Sequence, residues 1–296
     1  MKTTKNLRAA CDEYLAYLRK TRAKSPLTVI KYQMVLDGWC RSLGTIGLSR
    51  ITLSDIREFA SSRAENGASN STINLDVIIL GGMLNWFRLS DRLKSPIATA
   101  NWCRLKHKTP RRDLMKLDVV DKLCAEALRF DEDGMAVYPA GQFMADYLRL
   151  LAYSGCRKTA ALYARWDMVN WEARQISFHA KGGKVVTVDM NPKLEALLRE
   201  MKSRAGDSEV LFPGNTFLTR VNPYPLFDAI KKAAGFPDLH LHDFRHAFIS
   251  NCIMQGVDSQ TVAVWVGHAD GGCLINKVYC HLSNPHRVAM ASRISL

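Results

Sequence analysis

Residues 241–248 read LHDFRHAF and lead into an apolar-faced run that stops at Gly256. The spacing predicts a helix starting near Leu241. On it His242 and Arg245 stand three apart and share a face. Both donate hydrogen bonds to anions, and arginine does so as a two-pronged fork. His-x-x-Arg is short and in most proteins faces water, so the rest of the chain must give it meaning.

Outward from this stretch, the 296-residue chain carries 41 Lys and Arg against 28 Asp and Glu, a formal net charge of +13. That excess points to a polyanionic partner. It is unevenly spread. Residues 104–113, RLKHKTPRRD, hold Arg104, Lys106, Lys108, Arg111 and Arg112 against one acid, Asp113. With Pro110 and little apolar content the stretch reads as a basic linker, not as a membrane-surface amphipathic helix. A hydrophobic fraction of 47% with 23% charged residues is the balance of a folded protein. No apolar run reaches membrane-spanning length, and the N-terminal MKTTKNLRAACDEYLAYLRK lacks a signal-peptide core, so a cytoplasmic protein is expected. The eight cysteines contain no C-x-x-C pair and are expected to be reduced, mostly buried thiols. His268, Cys273, Cys280 and His281 lie close in sequence but match no common zinc spacing, so no metal is expected. P-loop, dinucleotide, H-E-x-x-H and EF-hand motifs are absent, and no cofactor is expected.

The linker separates two regions, 1–103 and 114–296. The first reads as helices only. Ser25-Pro26 caps one helix, Ser54 caps and Gly67 stops another, and Gly81-Gly82 interrupts the apolar stripe of a long fourth; Trp39, Trp86 and Phe87 are expected in the core. The second reads as helices, with a break at Ser154-Gly155 followed by helix through Val169. Its one change of period is RQISFHAKGGKVVTVDM, two short strands around Gly182-Gly183. The fold class is therefore mainly α with a small β hairpin in the second region (α+β). The segment LINKVYCHLSNPHRVAMASRI is expected to be helical.

Other cations and one tyrosine complete the candidates. Arg157 opens a helix after the Ser-Gly break, where a helix N-terminus already favours phosphate. Lys181 and Lys184 flank the hairpin turn. His268 follows Gly267, and Tyr279 lies eleven residues later in NKVYCH. Each alone is most often a surface or packing residue. Their order is the informative part: Arg157, a hairpin lysine, His242-x-x-Arg245, Gly267-His268, Tyr279. SGCRKTAALYARWDMV, HDFRHAF and VGHADGGCLINKVYCH in this order resemble the arginine, His-x-x-Arg and Gly-His-to-Tyr boxes of the tyrosine recombinase (phage integrase) family. The resemblance covers essentially the whole chain.

The resemblance implies an N-terminal helical core-binding (SAM-like) DNA-binding domain over 1–103 and a catalytic domain over 114–296. It implies an enzyme: a site-specific recombinase or integrase that breaks and rejoins double-stranded DNA through a 3′-phosphotyrosyl intermediate, without metal or ATP. The implied catalytic residues are Arg157, Lys181, His242, Arg245, His268 and the nucleophile Tyr279, with Lys184 the other choice for the hairpin lysine. Arg104, Lys106, Lys108, Arg111 and Arg112 would meet the DNA backbone. The implied assembly is a tetramer on DNA, aided by accessory DNA-bending proteins and acting in viral genome integration or related recombination near the nucleoid. Two departures stand out. The position three after Arg157, acidic in the family, is Ala160, and the His268–Tyr279 interval is longer than usual. They motivate the alternative of a catalytically impaired DNA-binding relative. A metal-dependent nuclease and an RNA-binding protein are weaker alternatives, the latter for want of an RNA-recognition motif.

Overall fold

The computed structural model describes residues 5–90, 104–106, 115–130, 140–180, 183–212, 222–273, 275–276 and 291–292. The chain divides into two compact units, Met1–Arg111 and Arg112–Leu296.

The first unit is built from α1 (Leu7–Lys20), α2 (Pro26–Leu43), α3 (Leu53–Glu65) and α4 (Asn70–Leu89). Short polar side chains start each helix. Asn6 accepts from the Ala9 amide, Ser25 precedes Pro26 in α2, and Ser69 accepts from the Thr72 amide. The cap of α3 is Thr52, not Ser54. Its hydroxyl and the Asp55 carboxylate satisfy each other's main-chain N–H, and that reciprocal pair fixes the start two residues earlier. α4 runs unbroken through Gly81 and Gly82, because tertiary packing outweighs the ~1 kcal/mol helix penalty of a glycine. Trp39 is fully buried, stacks on Phe59 with centroids 3.6 Å apart, and donates from Nε1 to the Asp76 carbonyl at 3.0 Å. Phe87 is buried and Trp86 packs against the same core.

The start of the basic stretch is not free. The Asn74 side chain pairs with both the amide and the carbonyl of Leu105, at 2.8 and 2.9 Å, and Asn70 donates to the Lys106 carbonyl at 2.8 Å. Residues 104–106 are thus seated on α4, with Arg104 and Lys106 exposed. Lys108, Arg111 and Arg112 lie outside the described residues.

The second unit contains α5 (Leu117–Arg129), α6 (Ala140–Ser154), α7 (Lys158–Leu162), β1 (Val169–Asn170), β2 (Gln175–His179), β3 (Val185–Asp189), α8 (Pro192–Arg204), α9 (Tyr224–Ala233), α10 (Leu241–Met254) and α11 (Ser259–Val266). α6 is the centre. Eleven of its fifteen residues are buried, and it packs on α5, α8 and α10. It buries one charge: Asp146, 0% exposed, accepts from Arg204 at 2.7 Å and from Gln142 at 2.9 Å.

The strands form one antiparallel sheet in the order β1-β2-β3, with Gln175 opposite Asp189 and His179 opposite Val185. The hairpin expected around Gly182-Gly183 is β2–β3. The helix expected to run through Val169 is corrected: α7 ends at Leu162, a 3₁₀ turn spans Trp166–Met168, and β1 follows. The main chain finds partners elsewhere, with Trp166 N–H on the Glu209 carbonyl and Leu211 N–H on the Ala164 carbonyl, both at 2.9 Å. These pairings override local helix propensity. Most of the helix expected from Leu274 onward lies outside the described residues. Cys11, Cys40, Cys124 and Cys156 are buried free thiols. Among the described residues no helix is long and apolar enough to cross a membrane.

Candidate functional site

The site gathers at the C-terminal end of α11, where VWVGH closes the helix. Gly267 adopts φ +64°, its N–H bonds the Val264 carbonyl, and the His268 N–H bonds the Ala263 carbonyl. This is the left-handed closure that glycine favours. It leaves the Val266 and Gly267 carbonyls pointing outward, at the end of the helix where partial negative charge collects.

Both candidate arginines terminate there. Arg245, 4% exposed, donates from Nη2 to the Val266 carbonyl at 2.5 Å and from Nη1 to the Gly155 carbonyl at 2.8 Å. Arg157 donates from Nη2 to the Gly267 carbonyl at 3.3 Å. Main-chain carbonyls orient a guanidinium without cancelling its charge, unlike a carboxylate. The two arginines, far apart in sequence, line one shallow recess together with Ala160, Phe178, Val186 and Trp265.

Two glycines make this approach possible. Gly155 ends α6 at φ +62°, and a Cβ there would lie 2.2 Å from the Phe248 ring. A Cβ on Gly267 would lie 2.5 Å from Val186 Cγ2 on β3 and 3.5 Å from Arg157 Nη1. A second tie holds α11 to the sheet. Trp265 Nε1 donates to Asp189 at 2.7 Å, Gln175 donates to the same carboxylate at 2.8 Å, and the two bonds pull the Asp189 pKa below its usual value.

The histidines cluster around Arg245. The His242 and His246 rings meet edge-to-face at 4.8 Å. Burial first, then His246 and Arg245, lower the His242 pKa; burial, then Arg245, lower that of His268. Both imidazoles are therefore held below the ordinary 6.5 and are mainly neutral at pH 7. Among the described residues the buried His268 Nδ1 has no hydrogen-bond partner, which is costly for a polar atom. Asp243 accepts from the His240 N–H at 2.7 Å and secures the start of α10.

Of the sequence candidates, Arg157, His242, Arg245 and His268 are thus brought together. The helix that Arg157 opens has five residues, too short for a strong dipole, so the Gly267 carbonyl and not the helix end sets its place. Lys184 is exposed, and its carbonyl accepts from the Ala180 amide at 2.7 Å. Lys181 and Tyr279 lie outside the described residues. Sequence reasoning missed the carbonyls of Gly155, Val266 and Gly267 as the arginine anchors. Its only trace was a glycine before each box, in YSGCR and VWVGH.

Fold and site together define a helical unit joined in sequence to an α+β unit whose centre is a cluster of arginine and histidine suited to an anion. Residues 118–286 match the phage integrase family, and residues 11–88 match the N-terminal SAM-like domain of phage integrases. The chain belongs to the phage integrase family. It is 24% identical over 287 residues to tyrosine recombinase XerC of Xanthomonas campestris pv. campestris (strain B100), covering 94% of this chain and 85% of that protein. Against XerC of Lactobacillus leichmannii the identity is 22%, covering 94% and 96%. The fold matches the crystallised lambda integrase (75–356) dimer bound to a COC′ core site, at TM-score 0.71 and 16% identity, over 90% of this chain and 96% of that one. It also matches the Tn1549 transposon integrase in complex with circular intermediate DNA, at TM-score 0.72 and 16% identity, over 96% and 99%.

Proposed function

We propose that the chain is a site-specific DNA recombinase that cleaves and rejoins strands through Tyr279. The observation that carries this reading is the convergence of Arg157 and Arg245 on one recess with His242 and His268 beside it. The Tyr279 oxygen attacks phosphorus, forms a 3′-phosphotyrosyl bond and displaces the 5′-oxygen, which takes a proton from Lys181. Covalent catalysis of this kind divides one hard displacement into two easier ones. The bond energy stays in the phosphotyrosine, so rejoining needs no ATP. A phosphodiester gains a second negative charge in the transition state, and Arg157 and Arg245 stabilise it on the non-bridging oxygens. His242, held neutral, is ready to accept the tyrosine proton, and His268 donates to the phosphate. The fixed positive charges also favour the phenolate of a residue whose ordinary pKa is near 10.

The helical region before residue 104 acts as the core-binding domain and that after residue 113 as the catalytic domain. In the segment that joins them in sequence, Arg104, Lys106, Lys108, Arg111 and Arg112 meet DNA phosphates. Three of the solved structures similar to this chain are DNA complexes, one a lambda integrase tetramer bound to a Holliday junction, which supports duplex DNA as substrate and a tetramer as the working assembly. Accessory DNA-bending proteins, a role in viral genome integration and residence at the nucleoid in the cytoplasm complete the proposal.

Ala160 lines the recess where the family carries an acid, which favours a second reading, a DNA-binding relative with impaired chemistry. One experiment separates the two: wild type and Tyr279→Phe are incubated with a nicked suicide duplex, with and without a chelator. A covalent adduct that is chelator-indifferent and lost in Tyr279→Phe supports the recombinase. No adduct from wild type supports the impaired relative, and an adduct surviving Tyr279→Phe moves the nucleophile elsewhere.

A further inference from the structure

The residue after Arg157 is a lysine fixed from both ends. The Lys158 carbonyl accepts from the hydroxyl of fully buried Tyr147 at 3.0 Å, which ties this main chain to the core of the unit. At the other end, the Lys158 ammonium donates to the Tyr224 hydroxyl and lies 4.7 Å from the Tyr224 ring centroid. Holding a lysine in one geometry costs rotamer entropy. The hydrogen bond to the phenol offsets part of that. Both side chains stay accessible, Tyr224 at 46% exposure.

The place of this pair matters. Lys158 adjoins Arg157 in the chain, and its charge reaches His242, whose protonation it opposes together with burial, His246 and Arg245. It is therefore an ordered, exposed cation next to Arg157 in the chain and within electrostatic reach of His242, held by a phenol that leaves its charge intact. The phenol keeps its own O–H free to donate while accepting from the ammonium.

We propose that Lys158 and Tyr224 form a second phosphate-binding site that holds the DNA backbone phosphate next to the scissile one. Nζ contacts a non-bridging oxygen and the Tyr224 hydroxyl donates to the same group; the inference rests on the recombinase reading above. A contact to a phosphate that does not react is equally strong before and during the chemistry. It therefore lowers the dissociation constant more than it raises the saturated rate.

The test uses the full chain. Equilibrium binding to an intact duplex is titrated across salt concentrations, and single-turnover adduct formation is followed on the nicked duplex at rising DNA. Lys158→Gln should make the log–log salt slope shallower by about 0.9, the value for one phosphate. Its half-saturating DNA concentration should rise by a larger factor than its saturated rate falls. Tyr224→Phe should move both readings the same way by less, and Lys158→Arg should restore the slope. A partly unfolded variant lowers the active fraction without changing the slope, so misfolding does not imitate the result. An unchanged slope in Lys158→Gln, or a loss confined to the saturated rate, overturns the proposal. If wild type forms no Tyr279 adduct the recombinase reading fails, and the salt slope on intact duplex still decides whether Lys158 meets a phosphate.

Discussion

Replacing Gly267 with alanine adds one methyl group at the point where β3, α11 and Arg157 meet. Two costs can be worked from the structure. The backbone sits at φ +64°, and an L-residue there costs about 1–2 kcal/mol. The new Cβ would lie 2.5 Å from Val186 Cγ2, an ångström or more inside carbon–carbon contact, and overpacking of this kind costs about 1–3 kcal/mol. Urea unfolding should therefore show a loss of about 2–5 kcal/mol. Where the segment shifts instead of unfolding, the Gly267 carbonyl turns away from Arg157. A displacement near 1 Å at a reacting group costs about 10²-fold in rate, readable as single-turnover adduct formation. Trimming the obstacle should recover the packing share and leave the backbone share, so Gly267→Ala and Val186→Ala should couple favourably by about 1–3 kcal/mol in a double-mutant cycle. Strict additivity would refute the overlap argument. A destabilised Gly267→Ala that forms adduct at the wild-type rate would refute the claim that this carbonyl positions Arg157.

Arg245→Lys supplies one point charge where a fork spans the Gly155 and Val266 carbonyls, so adduct formation should fall about 10²-fold or more; a near-normal rate would mean the fork is dispensable. His242 and His268 both have pKa values lowered by burial and by Arg245, so the folded state binds their protons more weakly than the unfolded state. Their contribution to stability is full above about pH 6.5 and is lost as pH falls below it; urea midpoints should drop between pH 7.5 and 5.5, less so in His268→Gln, and a flat profile would contradict the assignment. Asp146→Ala removes the buried acceptor of Arg204 and Gln142 while Arg204 keeps its pairing with Glu200, so it should cost about 1–3 kcal/mol, with Asp146→Asn costing less by calorimetry. Trp39→Ala empties the centre of the first unit and should cost about 3–5 kcal/mol, measured as the shift in denaturant midpoint.

What the sequence by itself determined is local or ordinal. The start of α2 followed from Ser25-Pro26, and the hairpin from a change of period around Gly182-Gly183, because capping and periodicity act over a few residues. The Thr52 start, by contrast, was displaced to Ser54, since two hydroxyl residues stood within reach and only the reciprocal bond with Asp55 chose between them. The candidate set was legible as an order of residue types, Arg157 to Tyr279, that resembles the family's, and of its members Arg157, His242, Arg245 and His268 are the ones the described residues bring together. What the tertiary structure alone decided is how those side chains are held. α7 stops at Leu162 because Ala164 and Trp166 pair with residues 209–211, distant in sequence. Arg157 and Arg245 meet because a left-handed turn at Gly267 aims two carbonyls outward, while Val186 and Phe248 leave no room for a Cβ at Gly267 or Gly155. Carbonyl direction and void space are properties of packed backbone, and no single residue's identity encodes them.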